Sequence, residues 1–184
     1  DVQMSQDRVP FLRHNYQLSD QRWCHDLSWS ELKGLKIEGE PLPLLEDVLV
    51  WARDVHVILS LDIKSLFSPA GNLTQAVIRL LEWTNTKDKM LLLFMDHVEL
   101  FHTKQAYPEL TVRALVSGRL MNYRDYLQSI KADCVSIMYG MFRPEDVAEI
   151  HSAGAAVVLG GLWNPDTDLF RSTDIDIFSH GNPV

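Results

Sequence analysis

Val55-His56-Val57-Ile58-Leu59-Ser60-Leu61-Asp62-Ile63-Lys64 is the stretch whose reading decides the fold. Val55 to Leu61 is apolar and partly β-branched, the composition of a strand buried on both faces. The stretch ends in an acid and a base, so Asp62 and Lys64 sit at a strand end. Before it, Leu45, Val48, Leu49 and Ala52 recur at helical spacing, which predicts an amphipathic helix over 44–53. After it, Asn72 is placed to cap a helix whose Leu73, Val77, Leu80 and Leu81 share one face. Helix, buried strand, helix is the unit from which parallel sheets are built.

The alternation continues in both directions. Met90 to Met95 reads as a strand, and Asp96 caps a helix through Gln105 that Pro108 ends. Leu110 to Val116 is a strand, and Asn122 caps a helix over Tyr123 to Ile130. Asp133 to Met138 is a strand. Pro144 opens a helix, where its missing N–H costs nothing, and that helix runs to His151. Ala155 to Leu159 and Ile175 to Phe178 are the last strands. Toward the start, Asp1 to Met4 begins a strand, and Val9 to Leu12 is extended after a turn-prone Ser5-Gln6-Asp7-Arg8. Asn15 to Asp26 is polar loop. Ser28-Trp29-Ser30-Glu31 is a capping box for a short helix that stops near Gly34. Pro41-Leu42-Pro43 is an extended connector.

The expectation is an α/β fold of the TIM-type (β/α)8 barrel class. Seven main strands are legible, and the chain begins with Asp inside a strand. The first strand and helix are therefore expected before residue 1, because a barrel short of one strand exposes two edges. An open doubly wound sheet is the alternative, and the lack of a Gly-rich Rossmann or Walker loop weakens it.

The 184 residues, 46% hydrophobic and 23% charged, suit one domain over residues 1–184. Asp plus Glu outnumber Lys plus Arg by 25 to 17, a net charge of -8, which argues against a nucleic-acid partner. A small anionic substrate stays possible where a cation sits locally. Cys24 and Cys134 show no metal-ligand spacing and read as idle thiols. No apolar run reaches the roughly 18 residues that a spanning helix needs. Oligomeric state and compartment are left open.

Asp1 and Asp62, at the ends of neighbouring strands, fall at one barrel mouth. Like charges there repel unless a proton or cation intervenes. Such oxygen ligands suit Mg²⁺ or Ca²⁺ better than zinc. The plainer reading is that Lys64 is the ion-pair partner of Asp62. His14 lies in the loop after the first stretch.

Asp1-Val2-x-x-Ser5-x-Asp7-x-x-Pro10-x-x-x-His14 resembles the glycerophosphodiester phosphodiesterase family, which carries Glu-x-Asp-Val-x-x-Thr-x-Asp-Gly-x-Pro-Val-x-x-His-Asp. Pro43-Leu44-Leu45-Glu46-Asp47-Val48-Leu49 is similar to its Pro-Thr-Leu-Glu-Glu-Val-Leu segment. Leu59 to Lys64 looks like its Glu-Ile-Lys strand end. Val157 to Asn164, followed by Asp174 to Ile177, resembles its last two strands. The four motifs occur in order over nearly the whole chain. The resemblance implies a TIM barrel, a divalent cation, and hydrolysis of glycerophosphodiesters to sn-glycerol 3-phosphate and an alcohol. It implies Asp1 and Asp62 as metal ligands, and His14 as an acid/base residue that donates to the leaving alcohol. Lys64 would hold a phosphate oxygen or orient a ligand. The attacking group is either water or a neighbouring hydroxyl of the substrate.

The chain departs from the family pattern at several points. The His-Arg-Gly motif and the Glu two positions before Asp1 do not occur in it. Asp62 stands for Glu, Asn15 for Asp, Arg8 for Gly and Gly161 for Trp. Trp163, two positions on, is expected to line the pocket, and His180, after the last strand, to touch substrate. His25, His56, His97, His102 and His151 read as surface or helix residues, and Trp23, Trp29, Trp51 and Trp83 as packing residues. Two rival functions stand beside the main one. One is phospholipase-D-like action on lysophospholipid or sphingomyelin. The other is a degenerate barrel that binds a phosphate ester or partner without turnover.

Overall fold

In chain order the first elements are β1 (Val2–Met4), β2 (Pro10–Leu12), α1 (Trp29–Leu32), β3 (Lys36–Ile37), β4 (Glu40–Pro41), α2 (Leu45–Arg53), β5 (Leu59–Ile63), α3 (Asn72–Thr84) and β6 (Met90–Phe94). They are followed by α4 (His97–Ala106), β7 (Thr111–Val116), α5 (Tyr123–Ile130), β8 (Cys134–Met138), α6 (Pro144–Ser152), β9 (Ala156–Leu162) and β10 (Ile177–His180). The computed structural model describes residues 1–37, 39–67, 72–162 and 174–180. Two units divide the chain, Asp1–Glu99 and Leu100–Val184. Strand–helix alternation with parallel strands makes the fold α/β, as the sequence predicts.

In the first unit β5 pairs in parallel with β6 from Leu59↔Met90 to Ile63↔Phe94, and with β1 at Val2↔Ile63; β2 adds antiparallel to β1. Side chains alternate across a sheet, so that register decides what each face carries. Val2 and Ile63 are buried on one face. Asp1, Gln3, Asp62 and Lys64 fall on the other.

The central strand starts four residues later than the apolar run suggests. The Lys89 ammonium donates to the carbonyls of Ala52 (3.1 Å), Arg53 (2.7 Å) and Val55 (2.9 Å). Those carbonyls leave the C-terminus of α2, where a cation satisfies them. Residues 52–55 are therefore held at the end of the helix rather than in the strand, and Ile58 is 78% exposed. Two further expectations are corrected. Asn72 is the first residue of α3 rather than a residue before it. Trp51 and Trp83, at 55% and 66% exposure, stand out from α2 and α3 instead of packing.

The turn between β1 and β2 is tied by side chains. Ser5 Oγ donates to Asp7 Oδ1 (2.6 Å) and accepts from the Val9 amide (3.0 Å). Asp7 Oδ1 also accepts from the Trp29 amide at 2.8 Å, which caps α1 from 22 residues away. The Ser5 hydroxyl and that amide hold the Asp7 carboxyl below the usual carboxylate range. Arg8 in this turn has φ 66°, a left-handed conformation that costs an L-residue energy. Ser28 and Glu31 form the capping box, the Ser28 amide donating to Glu31 Oε2 at 2.9 Å. β3 and β4 form a small antiparallel hairpin, with Gly39 at φ 92°, just before the Pro41-Leu42-Pro43 connector.

In the second unit β7, β8, β9 and β10 pair in parallel in that order. Val135, Ile137, Val157 and Leu159 form one face and pack with Tyr123 and Leu127 of α5 and Val147 and Ile150 of α6. The expected cap of α5 is present, with Asn122 Oδ1 accepting from the Asp125 amide at 2.9 Å. In the first unit Asp96 Oδ1 likewise accepts from the Val98 and Glu99 amides, at 2.9 and 3.1 Å.

A staple occurs twice in the second unit. Asp133, directly before β8, accepts at Oδ2 from the Val112 amide of β7 and from Lys104 Nζ of α4, both at 2.8 Å. Asp176, directly before β10, accepts at Oδ2 from the Val157 amide of β9 (2.7 Å) and pairs with His151 Nε2 of α6 (2.9 Å). Each aspartate ties its own strand start to the preceding strand and to a basic side chain. Burial pushes the Asp176 carboxyl up, but the Val157 amide and His151 outweigh it and leave it below the usual range. Further along, β9 carries one more residue than β10 between Leu159↔Phe178 and Leu162↔His180. Gly161, at φ 75°, supplies this bulge. A Cβ there would lie 2.8 Å from Met138 Cε, the far end of a flexible side chain that can shift, and it is the positive φ that disfavours the tryptophan of the family pattern at this position.

Candidate active site

The start of β1 lies beside the end of β5. The Lys64 amide donates to Val2 O and the Arg13 amide to Asp1 O, both at 3.0 Å. This backbone frame places three charges together. Lys64 Nζ is 3.0 Å from Asp1 Oδ1 and 2.8 Å from Asp62 Oδ2. The Lys64 side chain is only 10% exposed, against 17% for Asp62 and 30% for Asp1. One ammonium thus offsets part of two carboxylate charges, and the trio keeps a net charge of about −1. Lys64 also stands 6.0 Å from the centroid of the Tyr16 ring, within cation–π range. Burial raises the Tyr16 hydroxyl, and Lys64 pulls part of that back.

Asp62 Oδ1 is buried and has no hydrogen-bond partner among the described residues. A buried acceptor left in that state costs roughly 1–3 kcal/mol. An oxygen that carries such a cost is suited to receive a ligand. Among the described residues no group of three or more His, Cys, Asp or Glu converges on a point. The donor set is therefore two carboxylates. That set fits Mg²⁺, which keeps several waters and takes one or two carboxylates together with substrate phosphate. Zinc, which prefers nitrogen and sulfur, is a poorer fit.

His14 is exposed, and its Nδ1 lies 2.8 Å from Asn15 Oδ1. With the amide assigned this way the oxygen can only accept, so the ring carries its proton on Nδ1 and presents Nε2 outward. His14, Tyr16, Trp23, Lys64 and Leu66 line one cavity of about 450 Å³. His14 also joins Ile37, Glu40, Pro41 and Leu42 around a second cavity of about 390 Å³.

The structure thus brings Asp1, Asp62 and Lys64 into ion-pair contact, and Lys64 and His14 line the same cavity. Trp163 lies outside the described residues. His180 ends β10, its backbone paired with Leu162. Sequence reasoning missed Tyr16, Trp23 and Leu66. Tyr16 and Trp23 lie in a stretch read as featureless loop, although Gln17 and Trp23 form a bridge within it. The two thiols are free and buried. Burial raises Cys24 and pushes Cys134 up to about 11, so neither is a ready nucleophile.

Residues 1–177 match the model of the glycerophosphoryl diester phosphodiesterase family. The chain belongs to that family. Among solved structures, this family member is similar to an Oleispira antarctica phosphodiesterase in complex with the product sn-glycerol-3-phosphate. That pair has a TM-score of 0.88 at 19% identity, over 97% of this chain and 78% of the other. Glycerophosphodiester phosphodiesterases from Parabacteroides distasonis (TM-score 0.81, 15% identity, 97% and 76% coverage) and Thermotoga maritima (0.76, 16%, 97% and 78%) share the fold. A Bacillus subtilis protein called YqiK, described as uncharacterized, is 26% identical over 108 residues. That match takes in 59% of this chain and 41% of YqiK. No helix among the described residues is long and apolar enough to cross a membrane.

Proposed function

We propose that the protein is a metal-dependent phosphodiesterase of the (β/α)8 barrel type, acting as one catalytic domain. It hydrolyses glycerophosphodiesters to sn-glycerol 3-phosphate and an alcohol. The observation that carries this reading is the Lys64 ammonium, shared by Asp1 and Asp62 and opening with His14 on one cavity. Family membership supports the reaction class.

A phosphodiester brings one negative charge to a site whose carboxylates are only partly neutralised. Lys64 meets that charge at a phosphate oxygen and keeps Asp1 and Asp62 from repelling each other. Asp1 and Asp62, the latter through its unpartnered Oδ1, would hold Mg²⁺ or Ca²⁺, which when bound stabilises charge developing on the phosphoryl oxygens. Asn15 orients the His14 ring without adding charge. His14, in its imidazolium form with both nitrogens protonated, donates a proton from Nε2 to the alcohol oxygen as its bond to phosphorus breaks. Water supplies the hydroxyl that phosphorus gains, and its remaining proton returns Nε2 to the protonated form. Trp163 and His180 are proposed substrate contacts.

The test is release of sn-glycerol 3-phosphate from glycerophosphocholine by the full-length protein, with and without EDTA. EDTA-sensitive release is expected. Binding of glycerophosphocholine in calorimetry with no release at any metal concentration would instead identify the degenerate, binding-only barrel. A second reading has its own observation. Trp23 and Leu66, the latter 59% exposed, give the Lys64 cavity an apolar wall able to lie along an acyl chain. Faster release of choline from lysophosphatidylcholine than from glycerophosphocholine would favour this phospholipase-D-like action.

A further inference from the structure

We infer that Gln3 is the positioning residue for His14. The inference rests on His14 being the proton donor proposed above. Gln3 lies in β1 on the same face as Asp1 and is 4% exposed. Its carboxamide nitrogen donates to Arg13 O at 2.7 Å and to Asn15 O at 2.9 Å. These are the carbonyls on either side of His14. One buried amide thus spends both of its hydrogens on the carbonyls of the residues before and after His14.

The consequence is specific to that ring. The backbone at residue 14 is held from both sides, while its side chain stays exposed and free to meet a substrate. Asn15, whose Oδ1 fixes the ring tautomer at 2.8 Å, is itself one of the two held residues. Gln3 therefore sets the position of the ring and of the group that orients it. The second contact to Asn15 O, from Cys24 Sγ at 3.9 Å, is a weak thiol donor and does not replace an amide. The chemistry of residue 3 is also exacting. A carboxylate would face two carbonyl oxygens and could donate to neither, and an apolar side chain of equal length would leave both unmet.

The test separates positioning of a proton donor from general support of the fold. Gln3→Met is compared with the unaltered full-length protein on two substrates. One is glycerophosphocholine, whose alkoxide leaving group needs a proton. The other is the 4-nitrophenyl ester of glycerol 3-phosphate, whose phenolate leaves without one. A misplaced general acid lowers kcat on the first by about 10- to 100-fold. The second should change by less than about threefold, because no proton transfer limits it. Gln3→Glu should behave like Gln3→Met, and Gln3→Asn, which keeps the amide with shorter reach, should fall between. If Gln3→Met does not fold, Gln3→Asn carries the comparison. Equal losses on both substrates, or no loss on either, overturn the assignment of Gln3. His14→Ala separates the two proposals: if it spares both substrates, the proton-donor reading of His14 fails, and if it selectively loses glycerophosphocholine while the Gln3 variants do not, only the Gln3 assignment fails.

Discussion

The two units use the same side chain for opposite ends. In the second unit Asp133 and Asp176 stand before their strands, and each offers one carboxylate oxygen to a backbone amide and a basic side chain. In the first unit Asp62 lies near the end of β5, shares Lys64 with Asp1, which itself stands directly before β1, and keeps an oxygen buried without a partner among the described residues. A satisfied carboxylate at a strand start contributes stability, and an unsatisfied one at a strand end is held ready for chemistry. In β/α barrels generally, strand starts serve stability and strand ends carry active sites. The difference teaches that an aspartate's neighbours, more than its identity, separate structure from function.

The sharpest break in this contrast is Lys64→Ala. It removes the site's cation and should lower kcat on glycerophosphocholine by about 10²- to 10³-fold. The measurement is sn-glycerol 3-phosphate release at saturating substrate and metal. Asp133→Asn should do the reverse. Loss of a charge-assisted staple should cost about 1–3 kcal/mol, read as a lower urea midpoint, with turnover nearly unchanged. A large loss of turnover in Asp133→Asn would erase the contrast.

Acid provides the next test. The Asp176 carboxyl is depressed in the folded state, so the unfolded chain takes up that proton more readily. Its contribution is full above the ordinary carboxylate value of about 4 and is lost as pH falls through the lower folded value. Asp176→Asn should therefore flatten the acid side of the urea midpoint plotted against pH. The smallest effect is expected from Arg8→Gly. Arg8 holds φ 66° in a turn the side chain does not need. Relief of that strain should raise stability by about 0.5–1 kcal/mol, after allowing for the looser unfolded chain. Calorimetry should show a small rise in Tm and no change in kcat.

What the sequence revealed follows the reach of local physics. Asn122 and Asp96 cap within their own segments, so the helices they begin were legible residue by residue. The apolar run puts the strand at Leu59 too early because the reason for its late start, Lys89, lies 34 to 37 residues beyond the carbonyls it meets. Asp1, Asp62 and Lys64 were legible as a group because they flank the ends of two extended stretches, although Asp1 precedes β1 while Asp62 and Lys64 fall at the end of β5, and the family pattern pointed to His14. The cavity wall from Tyr16, Trp23 and Leu66 was not, since loop residues carry no period. The Asp7 cap on α1 and the Asp133 and Asp176 staples were equally hidden, because each joins segments that only the folded register makes neighbours. Trp51 and Trp83 were misread as packing residues, since ring size favours burial and only the placement of α2 and α3 decides it.

The brace that Gln3 places on the backbone around His14 separates two segments of the same loop. Beyond it, the tip from Leu18 to Arg22 closes on itself through the Leu18 amide to Arg22 O at 2.9 Å and the Gln21 amide to Leu18 O at 3.0 Å. Length can change at that tip without being transmitted to the imidazole. The loop is thus a natural place to graft new recognition segments: the reactive group keeps its anchor while the outer turn is lengthened, shortened or exchanged.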